Sequence, residues 1–179
     1  KAAVGTFGSI DVIVNNGQAI VPSSPVEDTT YENMLAAWES GTIGSLNYMQ
    51  AAFPYMKEQG EGRIINFASA TGMFGIAGQL AYGSNKEALR GLTKIAAKEW
   101  GQYGICVNVV LPGAESPAAK AWAEKFPEEY KKQVMLNPMH RFGDPEGDIA
   151  PVVAFLAGPD SCYYSGQSVI VDGANSIMP

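Results

Sequence analysis

Histidine, cysteine and basic charge are scarce in this 179-residue chain, and each scarcity closes off a class of function. A single histidine, His140, leaves no material for a multi-histidine metal centre or for a hydrolase triad built on histidine. The two cysteines, Cys106 and Cys162, show no metal-ligand spacing and are expected to pack as small residues in a reducing cytosol rather than to form a disulfide. Twelve basic against eighteen acidic side chains give a formal net charge of -6, which argues against a surface made for nucleic acid or anionic membrane. No apolar run reaches the roughly 20 residues of a membrane helix, and the first seven residues do not resemble a signal peptide. The expectation is a soluble, cytoplasmic protein with a small-molecule partner and no metal, nucleic acid or membrane.

What is present is apolar and periodic. Apolar residues make up 46% and charged residues 17%, enough to bury a core within one domain covering residues 1–179. Residues 1–7 read as the tail of a helix ended by Gly8. Residues 10–14 form a β-branched run closed by the turn Asn15-Asn16-Gly17. Thr29 or Thr30 can cap a long helix to about residue 59, interrupted at Gly41 and Gly44, where close packing, a kink or a backbone group needed elsewhere is expected. Residues 63–69 make the next strand, 70–80 a flexible glycine-bearing stretch, and 82 to about 103 a helix with an apolar face at Ala88, Leu89, Leu92, Ile95, Ala96 and Trp100. Residues 105–111 make a third strand, stopped at Pro112-Gly113. Two short helices broken at Pro127 occupy 117–136. A helix over 146–157, its start displaced toward residues 147–148 by Pro151, leads to a last strand at 168–172. Strands alternating with helices predict an α/β fold, a doubly wound parallel sheet with helices on both faces.

Ligands of such sheets bind beyond the carboxyl ends of the strands. That rim gathers residues 15–17, 69–71, 112–116 and 172–174, and the helix carrying Tyr82 begins beside it. Tyr82 and Lys86 stand four apart, on one helix face. A cation close to a phenol favours the phenolate, so the pair can move a proton.

Five stretches in order, IDVIVNNG (10–17), GRIINFAS (62–69), YGSNK (82–86), VNVVLPG (107–113) and GQSVIVDG (166–173), resemble the successive signatures of the short-chain dehydrogenase/reductase family. HRFGDPE (140–146) is similar to the linker before its last helix. The resemblance covers essentially the whole chain and implies a Rossmann-like fold and an NAD- or NADP-dependent oxidoreductase acting on a secondary alcohol or ketone. It implies Tyr82 as general acid/base, Lys86 as the cation that lowers the phenol pKa and bonds the cofactor ribose, and Ser69 as the donor that orients the substrate oxygen. It further implies cofactor contacts at Asn16, Gly17, Tyr82, Lys86, Pro112, Gly113 and Glu115, substrate contacts at Thr71 and Gln79, and a substrate lid over 114–136 bearing Trp122 and Phe126. A homodimer or homotetramer pairing the long helix and the Tyr82 helix is also implied.

The chain departs from the family in four places. Gly17 and Gln18 replace the alanine and glycine that complete the asparagine turn. Glu115, Ser116 and Pro117 stand where a threonine usually meets the carboxamide, and Ser116 can compensate. Gly41 takes the place of an asparagine that opens the long helix, so that glycine is expected to keep the opening but lose the side-chain bonds, weakening a proton relay to Lys86. The glycine-rich phosphate loop has no counterpart, since the glycines of 72–78 do not follow a strand in the dinucleotide manner. The chain therefore resembles the last two-thirds of a member, lacking its first three strands, with an apolar edge at 10–14 and a preceding segment outside these residues. The alternatives are completion by another chain, or a binding or regulatory protein, or inactive fragment, that retains the fold without turnover. A halohydrin dehalogenase is disfavoured, because those relatives carry arginine where Lys86 stands.

Overall fold

Short β-branched runs bounded by glycine and asparagine become four parallel strands in the computed structural model, which describes residues 2–177. Lys1, the first residue of the expected N-terminal helix tail, lies outside that range. The strands are β1 (Val12–Asn15), β2 (Gly62–Phe67), β3 (Ile105–Pro112) and β4 (Ser168–Val171), hydrogen-bonded in the order β1-β2-β3-β4. Register pairs Val12 with Arg63, Gly62 with Ile105 and Val109 with Ser168. The helices are α1 (Ala2–Phe7), α2 (Tyr31–Trp38), α3 (Gly44–Gln59), α4 (Ala70–Phe74), α5 (Leu80–Trp100), α6 (Pro117–Lys125), α7 (Pro127–Leu136) and α8 (Ala150–Ala157). The expected Rossmann-like class, helices on both faces of a parallel sheet, is the one adopted.

Side chains alternate across a strand, and the two faces bury different partners. On one face Ile64, Ile105 and Val107 meet Met49, Ala52 and Met56 of α3 and Ala96 of α5. On the other, Ile65 and Val110 meet Leu156 of α8. The two inner strands, covered on both sides, are buried almost throughout, which is why they read as continuous apolar runs. Strand β1 is different: Val12 and Val14 remain exposed, and β1 forms one edge of the sheet.

Local chemistry explains the helix boundaries. Thr30 caps α2 by accepting from Asn33 N, and the break anticipated at Gly41 is a π turn over Glu39–Ile43. Pro127 separates α6 from α7, and Pro145 opens a second π turn, Pro145–Ile149, ahead of α8. Two readings need correction. Residues 70–74 of the supposed flexible stretch form α4, because the Ser69 side chain caps it, and Ile95, read as part of the apolar face of its helix, is 60% exposed. No helix among the described residues is long and apolar enough to cross a membrane.

Candidate active site

Strand β2 ends at Phe67, and two residues later the extended backbone of Ser69 turns the chain into α4, its hydroxyl accepting from Thr71 N at 3.2 Å. Helix α4 then lies directly on α5. A β-carbon on Gly72 would stand 2.8 Å from the backbone nitrogen of Glu87 and 2.9 Å from the carbonyl oxygen of Gly83, so that contact admits only glycine. The close approach carries Ser69 to the first turns of α5, where Tyr82 and Lys86 share a face.

Lys86 is buried, its Nζ donating to the Phe67 carbonyl oxygen at 2.6 Å and lying 5.6 Å from the centre of the Tyr82 ring. The end of β2 thus supplies both an anchor for the ammonium and the serine beside the phenol. Burial pushes the Tyr82 phenol above its ordinary value, and a hydrogen bond from Ser69 draws it partly back. Burial also lowers Lys86, to about 8. The expectation of a phenol lowered by its lysine is therefore reversed in this structure. Removing water penalises the charged form of both groups, and the ammonium spends a hydrogen bond on a backbone carbonyl.

The remaining expected residues occupy three neighbouring places. Asn16 and Gly17 are exposed at the end of β1, and nothing lies within 4 Å of where a Gly17 β-carbon would be. The turn is held from Asn15, whose Nδ2 donates to Asn66 Oδ1 at 2.8 Å, while Asn66 Nδ2 donates to Thr93 Oγ1 of α5 at 2.9 Å. Pro112 closes β3, and Gly113 is fixed by a bond from its amide to Val171 O and another from Gly143 N to its carbonyl, both 2.8 Å. Thr71 sits in the first turn of α4, and Gln79 at the entry of α5 donates through Nε2 to Ser23 Oγ at 2.8 Å.

Glu115 faces elsewhere. Its amide donates to Gly143 O, and its carboxylate accepts from Tyr130 Oη at 2.7 Å. Burial, and then that carboxylate, raise the Tyr130 phenol. Tyr130 also packs between Trp122 and Phe142, so α6 and α7 are clasped to the loops after β3 and before α8. Phe126 marks their junction and is partly exposed. His140 stands exposed on its loop with a positive φ of 50°.

Asn85 and its partner Thr42, both absent from the expected set, belong to this region. Asn85 is fully buried on α5, and its Oδ1 accepts from Thr42 N at 2.8 Å and from Thr42 Oγ1 at 2.7 Å. The signal for Asn85 was in the sequence: extending the buried stripe back from Leu89 by four residues reaches an asparagine, and a polar side chain there needs a partner.

A nicotinamide cofactor fits the residues present at this rim. The Asn15-Asn16-Gly17 turn leaves open space at Gly17, and next to it the amide oxygen and nitrogen of Gln18 are both buried without a partner. An ammonium has three donors, and the bond to Phe67 uses one. The Ser116 hydroxyl accepts from Ala119 N at the start of α6 and keeps its own proton to donate.

Known proteins match the chain over nearly its whole length. A family model described as enoyl-(acyl carrier protein) reductase matches residues 1–174. The 12alpha-hydroxysteroid dehydrogenase of a Clostridium species is 40% identical over 179 residues, 100% of this chain and 69% of that protein. The 3-oxoacyl-(acyl-carrier-protein) reductase FabG of Thermotoga maritima is 37% identical over 175 residues, 97% of this chain and 69% of that protein. Among solved structures, levodione reductase superposes with a TM-score of 0.89 at 31% identity, covering 96% of this chain and 69% of that one. ElxO with NADP bound superposes with a TM-score of 0.90 at 28% identity, covering 97% and 70%.

Proposed function

The chain belongs to the short-chain dehydrogenase/reductase family, and on that premise we propose that it is an NAD- or NADP-dependent oxidoreductase interconverting a secondary alcohol and its ketone. The observation that carries the reading is the meeting of Tyr82, Lys86 and Ser69 at the carboxyl end of β2, with Lys86 anchored on Phe67. The bound nicotinamide supplies or takes up the hydride.

Tyr82 donates a proton to the oxygen that gains charge when a ketone is reduced, and accepts it back when the alcohol is oxidised. A phenol raised by burial stays protonated through neutral pH, which favours reduction there and oxidation in alkali. Ser69 turns its hydroxyl toward the same oxygen and stabilises the developing charge. Lys86 would hold the cofactor ribose with the donors left after its bond to Phe67. Asn16, Gly17, Pro112 and Gly113 would form the rim for the nicotinamide half, and Ser116 would donate to its carboxamide. Glu115 serves the clasp with Tyr130 rather than the cofactor.

The relatives named for a hydroxysteroid and a 3-oxoacyl group point to the same substrate type, an alcohol or ketone on a large apolar body. Thr71 and Gln79 would flank that body, and residues 114–136 would close over it with Trp122 inward. A homodimer or homotetramer in the cytoplasm, pairing the outer faces of α3 and α5 where Tyr48 and Ile95 are exposed, completes the proposal.

The test is a titration of the purified protein with NADH and NADPH by fluorescence, followed by turnover with a 12-oxosteroid and a 3-oxoacyl thioester. Tyr82→Phe should lower kcat by about 10²- to 10⁴-fold with cofactor Kd unchanged. Undiminished kcat in Tyr82→Phe would remove Tyr82 as the proton donor, and cofactor binding with no turnover of any ketone would leave a binding protein as the better reading.

A further inference from the structure

The buried stripe of α5 runs Ala81, Asn85, Leu89, Thr93, and Asn85 is the member whose polarity packing does not require. It is 0% exposed. Its Oδ1 takes both the backbone N–H and the hydroxyl of Thr42, and Thr42 Oγ1 also lies 3.0 Å from the Asn85 carbonyl oxygen. Thr42 belongs to the π turn Glu39–Ile43. An extra residue in a helical turn displaces backbone groups from the regular ladder, and they need partners from outside it. The Thr42 amide is such a group, and Asn85 satisfies it from the neighbouring helix.

The carboxamide also occupies the volume that a side chain at Gly41 would take. A β-carbon built on Gly41 would stand 2.6 Å from Asn85 Oδ1 and 2.7 Å from its Cγ. One volume serves two positions 44 residues apart in sequence, and only one of them can fill it. Asn85 Nδ2 has no hydrogen-bond partner there. A buried donor left unpaired costs stability, so packing alone would favour an apolar residue at position 85.

We propose that Asn85 is a positioning residue that supplies, from α5, the side chain the π turn lacks at Gly41, and so fixes the rotation of α5 that sets Lys86 against the Phe67 carbonyl. Its effect on turnover rests on the oxidoreductase reading above. Successive helical residues are about 100° apart, so Asn85 and Lys86 lie on adjoining faces and move together when the tie is cut. Misplacement of catalytic groups by about 1 Å costs on the order of 10²-fold in rate. The weakened relay expected from Gly41 is replaced by a tie built from the other side, and Gly41→Asn by itself becomes a steric conflict instead of a repair.

Gly41→Asn, Asn85→Ala and the double variant test the exchange. Asn85→Ala should lower kcat about 10- to 100-fold with KM changed by less than about threefold, and should move the pH profile of kcat. Gly41→Asn alone should lose more, and the double variant should return to within about fivefold of the parent. A double variant no better than the worse single, or Asn85→Ala with the parent kcat and pH profile, would overturn the proposal. Where Gly41→Asn does not fold, Thr42→Val replaces it in a cycle with Asn85→Ala, and strictly additive losses in kcat count against the tie. A ¹³C NMR titration of the Lys86 ε-carbon reads the positioning without turnover: its pKa should move in Asn85→Ala, and an unmoved pKa overturns the inference even if the parent protein reduces nothing.

Discussion

An ammonium held out of water at the end of β2 is charged at a cost, and that cost has a pH dependence. Lys86 titrates near 10.5 in the unfolded chain and at about 8 in the folded one. Below pH 8 both states hold the proton, and the folded state bears the full penalty of the buried charge. Between about 8 and 10.5 the folded state releases it first, the unfolded state binds more protons, and stability rises with pH. Lys86→Met removes this slope. Urea unfolding of both proteins at intervals from pH 7 to 10 should show the parent gaining on the variant, by up to about 3 kcal/mol over the whole window. A difference that stays flat with pH would mean that Lys86 is not buried in its charged form. Tyr82, itself raised by burial, is present in both proteins, so its own contribution to the slope is common to them and drops out of their difference.

At the scale of elements, the site depends on how closely α4 rides on α5. Alanine at Gly72 would set its methyl against the backbone of Gly83 and Glu87, which cannot swing aside as a side chain can. Gly72→Ala should destabilise by about 1–3 kcal/mol despite the better helix propensity of alanine, and should lower kcat by drawing Ser69 away from Tyr82. A variant as stable as the parent would show that the contact has slack. Helix α4 also marks where reading the sequence fell short. The strands expected at 63–69 and 105–111, the cap at Thr29 or Thr30 and the break at Pro127 were legible, the first running two residues past the observed end at Phe67, because each rests on neighbours in sequence: a β-branched run, a threonine ahead of a helical pattern, a proline without its donor. Helix α4 has five residues, one of them glycine, and no apolar period, so a single serine cap decides it. The strand-end rim was legible too, since topology alone brings those residues together. Asn85 with Thr42, and Lys86 with the Phe67 carbonyl, were not, because each joins positions far apart in sequence by a bond that no local pattern announces. The reversed direction at Tyr82 has a similar origin, for the depth of burial is a property of the packed molecule.

For the whole molecule the open question is the edge at β1. Val12 and Val14 are exposed beside unpaired backbone groups, a template for association with another chain. The 179-residue chain on its own should self-associate through this edge, and Val14→Lys should shift sedimentation toward smaller species without changing the far-ultraviolet circular dichroism. Equal association by both proteins would place the contact on another surface. The parallel arrangement of the sheet also has a consequence in time. Each pairing, Val12 with Arg63, Gly62 with Ile105 and Val109 with Ser168, joins residues roughly 40 to 60 positions apart, so no strand meets its neighbour before a long loop has closed. Helices such as α5 can flicker into being within a microsecond or so, while the sheet that orients them waits on those closures. Proton-transfer competence is thus among the last properties the folding chain acquires, because the carbonyl that anchors Lys86 is in place only once β2 has found β3.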